Sequence, residues 1–156
     1  MTTDVLLSLG SNLGDRRAFI DMAVERLAKL PGTRLRARSS YYKTEPVGPV
    51  KQEWFLNIAV ALGTDLSRSE LATACRAIEA DLGRDRSKEI PSGPRPIDVD
   101  VVLYGDSGEL DERAFVLVPL AEIAPDKPVG GRSLGERAEG IGSAGIVRLD
   151  WPVPSL

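Results

Sequence analysis

Asp98 and Asp100 stand two residues apart in the run Arg95-Pro96-Ile97-Asp98-Val99-Asp100-Val101. Side chains alternate between the faces of an extended strand, so both carboxylates project from one side while Ile97, Val99 and Val101 point to the other. Two like charges held side by side repel unless a cation lies between them. Hard carboxylate oxygens suit Mg²⁺, which usually completes its shell with water and substrate phosphates. Spacing alone does not single out this pair, because alternate aspartates on a strand are more often a solvated face. The residues leading into the strand change that balance. Arg84, Arg86, Lys88 and Arg95 precede it, and guanidinium forks bind phosphate oxygens bidentately. Cations and carboxylates converging on one strand end point to a magnesium site that handles nucleotide phosphates. Paired metal ions lie about 3.5–4 Å apart in such sites, within reach of one carboxylate pair.

Composition narrows the chemistry further. The 156 residues contain no histidine, which removes Ser-His-Asp and Cys-His nucleophile systems, histidine bases and histidine metal ligands together. Carboxylate–metal catalysis survives this restriction, and phosphoryl transfer suits it because it rests on positioning and charge neutralisation. Cys75 is the single cysteine, so there is no intrachain disulfide and no thiolate cage; a core position is expected. The net charge of -3 with 5% aromatic residues argues against a nucleic-acid-binding sheet, which needs a basic face and exposed rings. Apolar residues at 42% and charged residues at 28% fit one folded domain spanning 1–156. Apolar runs such as Ile58 to Leu62 are far too short to span a membrane. Met1-Thr2-Thr3-Asp4 carries no basic segment ahead of an apolar stretch, so no secretory signal and a cytoplasmic location are expected.

The elements that must position the pair follow from hydrophobic period. Val5 to Leu9, ended by Gly10, reads as a buried strand. Asn12 or Asp15 can cap a helix whose apolar residues Ile20, Ala23, Val24 and Leu27 recur at helical spacing before Pro31-Gly32. From Leu35 to Tyr41 the period is that of a strand, with Arg34, Arg36 and Arg38 on a solvated face. The loop Glu45-Pro46-Val47-Gly48-Pro49 leaves the sheet with limited freedom. In the strand after it, Leu56, Ile58, Val60 and Leu62 share a core face opposite Phe55 and Asn57. Ser67 and Glu70 form a capping box for a helix carrying Leu71, Ala74, Cys75, Ile78 and Leu82, ended by Gly83. Ile97 to Tyr104 is the last clear strand. The order β-α-β-β-α-β predicts an α+β, ferredoxin-like antiparallel sheet with a C-terminal extension. The apolar run Phe115 to Leu120 is left open as to type.

Phe55 and Asn57 share the non-aliphatic face of their strand. An aromatic ring beside a carboxamide can stack a flat heterocycle and read its edge, although ordinary packing is the more common use of a lone Phe. Gly10-Ser11-Asn12-Leu13-Gly14 meets neither phosphate-loop pattern and reads as a strand-to-helix turn.

Taken in order, Gly10-Ser11-Asn12-Leu13-Gly14-Asp15, Thr44-Glu45-Pro46-Val47-Gly48-Pro49, Phe55-Leu56-Asn57, Ile78-Glu79, Gly83-Arg84 and Gly93-Pro94-Arg95-Pro96-Ile97-Asp98-Val99-Asp100 resemble the 6-hydroxymethyl-7,8-dihydropterin pyrophosphokinase family. The likeness resumes at Arg113 to Leu120 and Glu122 to Pro125. The resemblance implies an enzyme of folate biosynthesis that moves the β,γ-pyrophosphoryl group of ATP to the pterin hydroxymethyl oxygen and releases AMP. It implies that Asp98 and Asp100 hold two Mg²⁺ ions, that Arg84 and Arg95 neutralise charge, and that Arg86 holds or admits the nucleotide. It places the pterin between Phe55 and Phe115, with Asn57 on its edge and Thr44 and Val47 beside it. Glu79, Arg95, Val101 and Arg113 fall on the nucleotide side. Small-molecule partners alone are implied, on a monomer or weak homo-oligomer. Two departures stand out. Ser92 occupies the place of a family tryptophan. The family's Pro-His segment is missing, the chain running from Gly105-Asp106-Ser107-Gly108 almost directly to Arg113. A pterin-binding homologue with weakened nucleotide use and little kinase activity is the alternative this departure raises.

Overall fold

The computed structural model describes residues 1–46 and 48–155. Its strands are β1 (Thr3–Ser11), β2 (Thr33–Arg38), β3 (Tyr42–Thr44), β4 (Phe55–Thr64) and β5 (Asp98–Tyr104), with helices α1 (Arg16–Ala28) and α2 (Arg68–Asp81) between them. A 3₁₀ turn, Arg86–Lys88, precedes β5. After β5 come α3 (Ala114–Ile123), the short pair β6 (Pro128–Val129) and β7 (Arg132–Ser133), α4 (Leu134–Ile141) and β8 (Ile146–Arg148). The main sheet runs β5-β1-β4-β3-β8, with β2 also on β4, and its described pairings are antiparallel. Helix α1 joins two strand positions that flank β4, and α2 joins two that flank β1. These interlocked crossovers make the ferredoxin-like arrangement that the order of elements predicts.

Local chemistry sets the boundaries. Asp15, not Asn12, caps α1 by accepting from the Ala18 N–H at 3.1 Å. The α2 capping box forms as expected, and Leu71, Cys75 and Ile78 are buried beneath it. The strand expected over Leu35 to Tyr41 is broken. The register slips between Leu35 and Ala37, and Ser39 Oγ accepts the Ala59 N–H at 2.8 Å where a backbone carbonyl would otherwise serve. That slip turns Arg38 inward: its side chain is 4% exposed and paired with Asp21, so only Arg34 and Arg36 lie on the solvated face.

Both faces of the sheet are covered. On one, Leu7, Leu9, Leu56, Ile58, Val60, Leu62 and Val99 pack against α1 and α2. On the other, Leu6, Ala59, Val102 and Leu103 pack against Val116, Leu117 and Leu120 of α3 and Leu134 of α4. The open apolar run is therefore a helix. It is apolar nearly all round and contains Pro119, so it shows neither an amphipathic period nor a clean helical composition. The C-terminal extension returns as β8 along β3, covering that edge. No described helix is long and apolar enough to cross a membrane. Cys75 is buried and its thiol is pushed up to about 12 by burial and then by Glu79, which fits a core position.

Leu117 is fully buried between α3 and the sheet. Leu117→Ala is expected to cost about 2–5 kcal/mol in denaturant unfolding; a loss below about 1 kcal/mol would show that α3 is not part of the cooperative core.

Candidate active site

The carboxylate pair lies on the sheet face covered by α3. Asp100 pairs in register with Ser8 and Asp98 with Gly10, while Gly10 also pairs with Asn57, which pairs with Tyr42. Alternation therefore brings Ser8, Gly10, Asn57, Asp98 and Asp100 to one face at one end of the sheet. The N-terminus of α3 hangs over it. Between them opens a cavity of about 420 Å³, whose lining includes Thr44, Phe55, Asn57, Phe115, Arg95, Arg113, Val101 and both aspartates. The residues assigned to a heterocycle and those assigned to phosphates thus share one space. Val47 lies outside the described residues.

Arg84, Glu79 and Arg86 are placed differently. Arg84 is buried beneath the pair, its Nη1 donating to Glu79 Oε2 and to Asp98 Oδ1, each at 2.9 Å, and its Nε donating to Glu89. Glu79 reaches in from α2, 1% exposed, and also accepts the Val99 N–H at 2.8 Å. It thereby satisfies the outer edge of β5. Its second oxygen accepts from Arg86 at 2.9 Å and Arg76 at 3.1 Å, around a separate hollow of about 270 Å³. In this arrangement Arg84 meets the cavity only through Asp98. One ligand oxygen each from Glu79, Asp98 and Asp100 lies within 4.8 Å of the others. Both Glu79 oxygens are already taken by Arg76, Arg86, Arg84 and the Val99 N–H, so the oxygens that face the cavity and fit Mg²⁺ completed by water and substrate are those of Asp98 and Asp100.

Sequence reasoning passed over several contributors. Asn12 is buried, accepts the Arg95 N–H at 3.0 Å and donates its own N–H to the Arg95 carbonyl at 3.2 Å. Its amide also donates to Gln52 Oε1 at 2.8 Å, and Gln52 in turn donates to the Ser92 carbonyl at 2.7 Å. This chain ties the proline-rich loop to the arginine loop across the cavity mouth. Ser92 itself sits at φ 60, a left-handed conformation unusual for a side chain other than Gly, Asn or Asp. Gly10 is required by close approach: a Cβ there would lie 2.5 Å from Asn57 Nδ2. Asn57 is held in place by Thr44 Oγ1, donating to Oδ1 at 2.6 Å, and by the Leu9 carbonyl at 3.2 Å. Glu109 and Asp111 also line the cavity, and nothing in their spacing marks them. They arrive there because a tight turn, with Tyr104 and Ser107 exchanging backbone hydrogen bonds at 2.9 and 3.0 Å, leads almost directly into α3.

The electrostatics of the pair follow from crowding. Asp100 opens onto the cavity but is ringed by protein; burial, then the Asp98 charge and a hydrogen bond with Asp98, push it up to about 7. Burial presses Asp98 upward too, but hydrogen bonds from Asp100 and Arg84 and the charges of Arg84 and Arg95 outweigh it and hold it below the ordinary carboxylate range. Without a cation, the pair shares one proton.

Residues 6–125 match the model of the 7,8-dihydro-6-hydroxymethylpterin-pyrophosphokinase family. The chain is 46% identical over 159 residues to the 2-amino-4-hydroxy-6-hydroxymethyldihydropteridine pyrophosphokinase of Methylorubrum extorquens, covering 95% of this chain and 99% of that protein. To the protein of the same description from Pseudomonas aeruginosa it is 38% identical over 161 residues, covering 96% and 98%. The first alignment takes 159 positions to cover 95% of 156 residues, about 148, so this chain lacks some eleven positions that its relative has. Among solved structures, Plasmodium falciparum HPPK-DHPS wild type with pteroate gives a TM-score of 0.71 at 11% identity. It matches over 90% of this chain, which spans 42% of that one, and the likeness concerns the fold alone.

The shared proton has a measurable sign. Between the ordinary value of 3.8 and about 7 the folded Asp100 binds a proton that the unfolded chain has released, so metal-free stability falls as pH rises through that window. An Mg²⁺ ion held by the pair would replace the proton and reverse the trend. Thermal melts in chelator from about pH 5 to about pH 8 should show this decline in the parent chain and not in Asp100→Asn, with Mg²⁺ stabilising the parent most at the alkaline end. Parallel curves for the two chains would refute it.

Proposed function

This chain belongs to the 7,8-dihydro-6-hydroxymethylpterin-pyrophosphokinase family, and on that premise we propose how its own residues carry the transfer of pyrophosphate from ATP to 6-hydroxymethyl-7,8-dihydropterin. The carrying observation is the single cavity that holds Phe55, Asn57 and Phe115 at one part of its wall and Asp98, Asp100 and Arg95 at another. A flat heterocycle stacks between Phe55 and Phe115, with the Asn57 amide on its edge and Thr44 beside it. Asn57 keeps one amide hydrogen and one oxygen lone pair beyond its bonds to Thr44 and Leu9, which suits a ring edge carrying both a donor and an acceptor.

The triphosphate lies toward Asp98 and Asp100. Bound Mg²⁺ supplies charge neutralisation and in-line orientation of the phosphates. The case for two ions is one of charge. The cavity wall carries the carboxylates of Glu45, Asp98, Asp100, Glu109 and Asp111 against the guanidiniums of Arg95 and Arg113. One divalent ion leaves that wall negative toward a polyanion; two make it positive. Arg95, its peptide fixed by Asn12, places a guanidinium 3.8 Å from Asp98 and neutralises charge as the hydroxymethyl oxygen attacks the β-phosphorus and AMP departs. Arg84 acts by holding Asp98, and Glu79 by holding Arg84 and the β5 edge. Arg113 flanks the nucleotide, with Val101 against its apolar part, and Arg86, held on Glu79 at the separate hollow, admits it from the loop.

We assign this work to one domain over 1–156, because both cores are built on the same sheet, acting as a monomer or weak homo-oligomer. The free, buried Cys75 and the substrates favour the cytoplasm.

With Mg²⁺, ATP and the reduced pterin, nucleotide chromatography should show AMP equimolar with pterin diphosphate; ADP, or no turnover, would sink the assignment. Asp98→Asn should lower kcat by at least about 100-fold with a near-parental melting curve, since it removes a metal-ligand charge while leaving an oxygen for Arg84. Gly10→Ala should displace Asn57 and weaken pterin binding by about tenfold or more in a fluorescence titration, as a buried amide loses its partners. An unchanged affinity would remove Asn57 from the pterin site.

A further inference from the structure

The short connection after Tyr104 does more than omit residues: it delivers a carboxylate onto a cavity arginine. Asp111 grips Arg113 along one edge of the guanidinium, Oδ1 accepting from Nε at 3.0 Å and Oδ2 from Nη2 at 2.6 Å. Asp111 Oδ1 also accepts the Arg113 N–H at 3.0 Å, at the start of α3, where Arg113 offers no side-chain cap of its own. The guanidinium carbon sits 4.5 Å from the centre of the Phe115 ring. Arg113 is thus held in its plane by Asp111 and from one face by Phe115. Both side chains are partly open, at 55% for Arg113 and 32% for Asp111, and both line the cavity. The charge of Asp111 is secured by the same contact, since the Arg113 hydrogen bond holds its carboxyl below the ordinary range.

We propose that Asp111 is a built-in counter-charge that competes with nucleotide phosphate for Arg113 and so sets the nucleotide affinity of this chain. The inference rests on the reading of Arg113 as a nucleotide residue. Two effects have opposite signs. Asp111 orients the guanidinium, which favours binding. It also occupies the Nε–Nη2 edge and places a negative charge beside the incoming triphosphate. An exposed ion pair contributes little to holding its partners in place, whereas Asp111 repels every charge of an incoming polyanion. Competition therefore outweighs orientation, and the carboxylate weakens binding.

The test is calorimetric titration with Mg²⁺ and α,β-methylene ATP, which lacks the bridging oxygen that this reaction breaks. Asp111→Asn keeps an oxygen for the Arg113 N–H and removes the charge; Asp111→Ser does the same with a shorter side chain. Both should bind about three- to tenfold more tightly than the parent, and the gain should vanish in an Arg113→Ala background. If Arg113→Ala weakens binding but neither Asp111 variant tightens it, the counter-charge idea fails alone. An equal gain with and without Arg113 would also overturn it, as a general charge effect. If Arg113→Ala binds as the parent does, the nucleotide role of Arg113 fails and this inference with it.

Discussion

A buried ion cluster beneath the Asp98–Asp100 pair is the constraint on which the rest of the site depends. Arg84 sits at its centre, 3% exposed, with Glu79, Glu89 and Asp98 around its guanidinium. Taking such charges out of water costs several kcal/mol per ion, and removing one partner from a buried pair typically costs about 3–5 kcal/mol. Such a cluster is poor evidence of stability in itself, but it tolerates few alternative geometries. Three successive segments, the last turn of α2, the loop after Gly83 and the start of β5, must meet with their hydrogen bonds satisfied. Glu79 completes the arrangement by taking the Val99 N–H, so the exposed edge of β5 is closed by a side chain from the helix layer.

The sheet divides labour between its two faces, and alternation makes the division possible. Ile97 and Val99 are buried against the α1–α2 layer, while Asp98 and Asp100 emerge on the α3 side with Gly10 and Asn57 beside them. One strand thus anchors itself in the core and presents its chemistry in successive residues. The α3 layer supplies the opposite wall, and Glu122 ties that helix to the sheet edge by accepting from the Ser40 N–H at 3.0 Å and the Tyr42 hydroxyl at 2.6 Å. The distance between the Phe55 ring on β4 and the Phe115 ring on α3 is then set by packed elements rather than by loops.

Much of this was legible because it rests on period and local chemistry. The alternation of β4 and β5, the Ser67–Glu70 capping box and the convergence of arginines on Asp98 are all properties of neighbouring residues. The break at Ser39 was not legible, because a hydroxyl replacing a carbonyl depends on which strand lies opposite. Arg38 went astray with it. Asn12 reads as a helix cap from its neighbours and becomes a clamp on Arg95 only once residues eighty-three apart meet. The resemblance gives Arg84 charge neutralisation and Glu79 the nucleotide side, and burial places both behind the carboxylates. The helix α3 carried too little polar contrast to declare its period.

Charge explains why these pieces belong together. A wall with five carboxylates and two guanidiniums repels a triphosphate, and in the metal-free state the aspartate pair relieves its own repulsion by keeping a proton on Asp100. On the proposed reading both problems have the same solution, divalent cations that displace the proton and offset the negative charge of the wall. Arg84 cannot substitute for them, since its charge is already spread over Glu79, Glu89 and Asp98 on the far side of the pair. Nor can Arg113 fully do so while Asp111 grips one edge of it. The short connection adds to this demand, because the residues it brings to the rim, Glu109 and Asp111, are acidic. Nucleotide and metal must enter as mutually dependent charges, and the buried cluster keeps the two aspartates in place to receive them.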